Sequence, residues 1–143
     1  MTAPRRAALY ARVSTDEQST GMQLDDLRRL AEHRGWKIAG EYIDQGISGA
    51  KASRPDLDRL MADTRAGRLD VVAVWRFDRF ARSTQHLLAA LEEFRAVGVD
   101  FVSVRESIDT STPMGRMVFT MVAAVAELER ELIRERVIAG IRR

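Results

Sequence analysis

The chain has 143 residues, 45% hydrophobic and 31% charged, with 23 Lys and Arg against 21 Asp and Glu for a formal net charge of +2. That length suits one domain with a real core, and that balance excludes a disordered chain. The absence of cysteine excludes disulfides and thiolate metal sites, the longest apolar run (MVFTMVAAVA) is far too short to cross a bilayer, and the opening MTAPRRAALYARV lacks the apolar core of a signal peptide, so a cytoplasmic protein is expected.

In chain order, RAALYARV (6–13) is apolar enough for a buried strand. It runs into YARVSTDEQ (10–18), where two readings compete. Ser14-x-x-Glu17 fits a capping box that would start a helix. Alternatively, Ser14 is a nucleophile and Arg12 part of an anion site. MQLDDLRRLAEHRG (22–35) puts Leu24, Leu27, Leu30 and Ala31 on one helical face and stops at Gly35. WKIAGEYID (36–44) alternates Trp36, Ile38 and Tyr42 as a strand with one exposed face would, and DQGISGAKAS (44–53) reads as a Gly/Ser loop.

RPDLDRLMADTRAG (54–67) has Pro55 and Asp56 in its first turn and Gly67 past its end, both favoured helix signals. LDVVAVWR (69–76) reads as a buried parallel strand. STQHLLAALEEFRAVG (83–98) is a helix capped by Ser83 or Thr84, VDFVSV (99–104) a fourth strand, and ESIDTSTP a polar loop. From Pro113 onward only Gly115 and Gly140 oppose a helix, which at about 1.5 Å per residue reaches roughly 45 Å. Its apolar positions Met114, Met117, Val118, Met121, Val122, Val125, Leu128 and Leu132 keep helical spacing. A core helix accounts for the first half alone, the second half must project, and self-association through residues 114–132 is expected.

Strands alternating with helices predict an α/β fold: a mostly parallel sheet of four or five strands, covered by helices on both faces and followed by a long C-terminal helix. Residues 1–112 form the α/β part and 113–143 an oligomerisation helix of the same domain, with no repeat or linker. In such sheets working groups collect beyond the carboxyl ends of the strands, here RVSTDEQ, DQGISG, RFDRFARS and RESIDTS.

WRFDRFARS (75–83) is the most informative of these. Only Lys37 and Lys51 are lysines, so the bases are nearly all arginine, through coding bias or because its planar fork matches phosphate. Arg76, Arg79 and Arg82 recur every third residue beside Asp78. A surface ion-pair cluster explains Asp78 with one arginine but leaves two like charges close together, which an anion would join. With Arg12 these guanidiniums surround Ser14, as stabilisation of a phosphoryl group in transit requires. His33 and His86 fall away from the edge, so a Ser-His triad is disfavoured; Asp44 and Asp78 lie on it. An arginine-crowded edge also disfavours a metal.

Together, YARVSTDEQ, DQGISG, RPDLDRL, WRFDRFARS and AELERELIRER resemble, in order and over nearly the whole chain, the catalytic domain of serine site-specific recombinases of the resolvase/invertase family. The resemblance implies that Ser14 attacks double-stranded DNA and forms a 5′-phosphoserine bond, with Arg12, Arg79 and Arg82 binding the phosphate. It assigns further catalytic positions to Asp44, Arg54 and Asp78, and site positions to Tyr10, Gln18, Gln23, Glu129 and Arg130. It implies a homodimer that assembles into a tetramer, with no cofactor, metal or membrane. Phe77, Phe80 and Ala81 stand where the family often has leucines and a small residue. The expectation is of a catalytic domain without the sequence-reading DNA module of many relatives. An inactive binding relative and a phosphoacceptor domain using Asp44 are the rival expectations.

Overall fold

A computed structural model describes residues 3–13, 17–45, 54–81 and 83–141. Ten elements follow in order: β1 (Arg6–Val13), α1 (Glu17–Arg34), β2 (Lys37–Gln45), α2 (Pro55–Arg65), β3 (Val71–Val74), α3 (Phe77–Phe80), α4 (Thr84–Ala96), β4 (Asp100–Ser103), β5 (Ile108–Asp109) and α5 (Pro113–Ile141). The strands form one sheet in the order β2-β1-β3-β4-β5. β1 to β4 are parallel, and β5 returns antiparallel on β4.

The strand sequences dictate how that sheet is covered. Successive side chains point to opposite faces, so strands buried on both sides carry apolar residues at every position. Ala7, Leu9, Val71, Ala73 and Val102 pack on one face with Leu27 of α1, flanked by Leu30 and Trp36. Ala8, Tyr10, Val72, Val74 and Phe101 face the other way, onto Leu57 and Leu60 of α2 and Leu87, Leu91 and Phe94 of α4. Burying a leucine such as Leu27 or Leu60 contributes about 2 kcal/mol, so the helical stripes read from the sequence are what hold the layers together. Gly35, Gly67 and Gly98, expected as helix stops, all take positive φ (69°, 73° and 74°), which a side chain would strain.

Four local expectations are corrected. α1 starts at Glu17, ahead of the expected Met22, because apolar periodicity marks only the buried part of a helix with a polar first turn. Residues 77–80 form a short helix where only a charged edge segment was expected. The polar loop ESIDTSTP contains β5, whose two residues are too few to show a period. In β2 the register shifts opposite Ala7 and Ala8, whose partners are Ile38 and Gly40. That extra residue separates Ile38 from Tyr42, which were expected on one face. Ile38 stays 39% exposed while Tyr42 is buried against α2.

Candidate active site

The strand order reverses direction between β1 and β3, and the carboxyl ends of these two strands define the crevice where such sheets place their working groups. Arg12 ends β1 in register with Asp44 of β2, and Trp75 and Arg76 follow β3. Ser14, Arg82 and most of the DQGISG loop lie outside the described residues. Gln18 lies in α1, with its side chain outside the description.

Tyr10, Asp44 and Arg54 form a buried polar group under this edge. The Tyr10 hydroxyl donates to Asp44 Oδ2 at 2.9 Å. The same carboxylate accepts from the amides of Asp56 (2.8 Å) and Leu57 (2.9 Å) in the first turn of α2. Asp44, a catalytic position by the resemblance, thus spends its oxygens on fixing β1, β2 and the start of α2 to one another. Arg54, 5% exposed, donates from Nη1 to the Phe80 carbonyl at 2.5 Å, linking α2 to α3. Burial, and next the Asp44 hydrogen bond, push the Tyr10 pKa far up, against the opposing charges of Arg54 and Arg12. The phenol therefore stays protonated and serves as a donor, with two guanidiniums close enough for their fields to reach it.

α3 turns the Phe77–Phe80 segment so that its aromatic rings go inward and its charges stay at the edge. Phe80 is fully buried and meets the Tyr10 ring edge-on at 6.0 Å. Arg79 is half-buried, and its Nε is buried with no hydrogen-bond acceptor among the described residues. Asp78 lies instead beside Arg76, with Nη2 at 3.3 Å from Oδ2. Of the expected Arg76, Arg79 and Arg82 cluster, Arg76 is engaged by Asp78 on an exposed pair, Arg79 has its Nε buried, and Arg82 lies outside the described residues. Gln23 of α1 is also fully buried, and both its amide atoms lack a partner among the described residues. An unsatisfied buried polar group costs about 1–3 kcal/mol, so such groups point to function in preference to stability.

His86, Glu129 and Arg130 lie on other helices. His86, expected away from the edge, lies in the first turn of α4, because helices that follow parallel strands begin at the carboxyl edge. It stacks on Phe80 at 6.3 Å with the rings 6° from parallel, and it borders a cavity of about 380 Å³ together with Arg54. Glu129 of α5 accepts from the Thr84 hydroxyl at 3.2 Å, which ties α5 to the start of α4. Arg130 is exposed and pairs with Glu127 at 3.5 Å, so it is not brought to the same place. Among the described residues, no three His, Asp or Glu side chains form a group able to hold a metal ion. Thr84 and Asp56, expected only as helix-start signals, and Glu106 join the site through hydrogen bonds that no short motif signals.

The fold is thus an α/β domain with a doubly wound sheet whose switch-point edge carries Arg12, Arg76 and Arg79. Residues 7–143 match the family described as Resolvase, N terminal domain, and the chain belongs to that family. It is 45% identical over 132 residues to a DNA-invertase of Escherichia phage P1, covering 92% of this chain and 66% of the relative. It is 40% identical over 133 residues to the Transposon Tn917 resolvase of Enterococcus faecalis, covering 93% of this chain and 67% of that protein. The chain thus spans about two thirds of the length of these relatives. The solved N-terminal catalytic domain of TP901-1 integrase superposes with a TM-score of 0.81 at 40% identity, over 90% of this chain and 98% of that one.

Proposed function

We propose that this chain is the catalytic domain of a serine recombinase, which cleaves and rejoins double-stranded DNA through a phosphodiester bond to Ser14. The observation that carries this reading is the buried Arg79 Nε with no acceptor among the described residues, at an edge that also holds Arg12 and Arg54. A phosphodiester supplies the missing acceptor, and guanidinium donors fixed in advance stabilise the charge that spreads over its oxygens in the transition state. Ser14 would attack the phosphorus, break the bond to the 3′ oxygen and keep the 5′ phosphate, so the later reversal needs no external energy source. Arg12 and Arg79 bind the phosphate in this reading, with Arg82 assigned by its motif. Tyr10, Asp44 and Arg54 hold β1, α2 and α3 in relation to one another. Gln18, Gln23 and Asp78 are assigned by motif alone, and Glu129 braces α5 at the start of α4.

The same reading makes the protein a cytoplasmic homodimer that forms tetramers on DNA. Support comes from α5, whose residues Met114, Met117, Met121, Val125, Leu128 and Leu132 are 42–66% exposed along one side. Phe119 and Val122 pack inward and Ala126 is fully buried, so the core needs only that narrower side. The exposed stripe runs from Met114 to Leu132, the range through which self-association is expected. Among the described residues, no helix is long and apolar enough to cross a membrane. The direct test incubates the protein with DNA that is nicked beside the cleavage position, so that cut ends diffuse away. A detergent-resistant protein–DNA adduct is expected, and its formation by Ser14→Ala would overturn the assignment.

A further inference from the structure

The turn between β4 and β5, residues 104–107, contacts the segment that carries Arg79 at three points. The Arg105 amide donates to the Trp75 carbonyl at 2.9 Å. The Arg105 guanidinium lies over the Trp75 ring at 5.4 Å, while the indole Nε1 donates to Asp26 Oδ2 of α1 at 3.1 Å. Third, the Glu106 carboxylate accepts the backbone N–H of Phe77, the first residue of α3, at 3.3 Å. The same oxygen accepts the hydroxyl of Ser103, itself fully buried at the end of β4.

Two features mark this as an organised contact. Ser107 has φ of 55°, the only non-glycine residue with positive φ among the described residues. A serine in that region is disfavoured and persists where the surroundings require it. Here it closes the turn through its amide to the Val104 carbonyl at 3.1 Å, which brings Glu106 back under α3. The second feature is the helix itself. With only four residues, Phe77 to Phe80, α3 has little internal bonding to fix its direction: Arg79 N to Arg76 O at 3.2 Å and Ala81 N to Phe77 O at 2.8 Å. A helix that short is unstable alone and takes its orientation from outside contacts. Arg54 holds its last carbonyl, and Glu106 holds its first amide.

We infer that Glu106 is a positioning residue for Arg79: by accepting the Phe77 amide from the rigid end of β4, it sets the direction of α3 and so the place of the guanidinium. This rests on the reading that Arg79 binds the scissile phosphate. Glu106 is exposed and touches no reacting atom, so its effect falls on the rate of the chemical step and leaves DNA affinity alone.

The experiment compares the wild type with Glu106→Ala and Glu106→Gln in three measurements: amide hydrogen exchange, DNA affinity, and the rate of covalent adduct formation on nicked DNA. Glutamine keeps an oxygen acceptor at the same reach, so it separates the hydrogen bond from the charge. In Glu106→Ala, exchange over residues 77–80 should rise about tenfold while the amides of β3 stay protected. Adduct formation should slow about tenfold with DNA affinity within about twofold of wild type, and glutamine should restore most of both losses. Unchanged exchange over 77–80 in the alanine variant would overturn the inference. So would faster exchange with a normal adduct rate. If the wild type forms no adduct, the recombinase reading fails by itself, and the exchange measurement still decides whether Glu106 orients α3.

Discussion

Arg79 and Asp44 illustrate two opposite uses of a charged side chain at one sheet edge. Asp44 is buried with three donors on its carboxylate, whereas Arg79 keeps a buried Nε without an acceptor among the described residues. The first arrangement stabilises the fold and the second is tolerable where a ligand completes it. If Arg79 grips a phosphate through its planar fork, lysine preserves the charge but loses the paired geometry. Arg79→Lys should then slow adduct formation by about tenfold or more, equivalent to about 1.4 kcal/mol in the barrier. Single-turnover cleavage of nicked DNA measures this, and a near-normal rate would show that charge alone suffices. The sequence pointed to Arg12 and Arg79 because one ends a buried strand and the other lies in the segment that follows another. It did not indicate that Asp44 caps α2, because capping of a helix twelve residues further on depends on how the chain folds back. Glu106 was illegible for the same reason, since its partner Phe77 lies 29 positions away.

Among the elements, the four long helices were legible from their apolar periods and the four parallel strands from their apolar composition. β5 has two residues and α3 has four, too few for any period, and the irregularity in β2 leaves no compositional trace. β5 nevertheless anchors α5. A Cβ on Gly115 would lie 1.8 Å from the Asp109 carbonyl oxygen and 2.9 Å from Thr110 Cα, backbone atoms that cannot move aside without moving β5. Gly115→Ala should therefore cost about 2 kcal/mol or more by shifting α5 off the sheet, read as a lowered denaturation midpoint. Asp109 also receives Arg34 of α1 at 2.8 Å. Burial would raise its pKa, but hydrogen bonds from Ser111 and Arg34 outweigh that and hold it below its ordinary 3.8. A carboxylate with a lowered folded-state pKa stabilises the protein above its unfolded value and loses that contribution as pH falls through the folded one. Stability should accordingly decline below about pH 4, and Asp109→Asn should remove part of that slope in acid unfolding curves.

For the whole molecule, the balance of buried and exposed apolar surface is uneven. The central strands β1, β3 and β4 are covered on both faces, whereas α5 presents a side rich in methionine, Met114, Met117 and Met121, with Val125, Leu128 and Leu132 continuing it. Between this helix and the start of α4 runs an apolar cavity of about 500 Å³, lined by Phe77, Leu87, Val118, Met121 and Val125. Water contact along such a stripe is unfavourable, and methionine suits a surface that must repack against different partners. Self-association should therefore appear in sedimentation as protein concentration rises, and Met121→Arg should shift the equilibrium towards monomer without lowering the unfolding midpoint. A wild-type protein that remains monomeric into the high micromolar range would contradict this interface.

The account depends most on the identity of the nucleophile, and the most direct measurement locates the covalent bond itself. Protein trapped on nicked DNA is digested with protease and nuclease, and the peptide that retains a nucleotide is sequenced by mass spectrometry. A single modified peptide carrying a 5′ phosphate on Ser14 is expected, absent from the Ser14→Ala variant. A nucleotide attached to any other residue, or DNA cut with no covalent peptide, would contradict it.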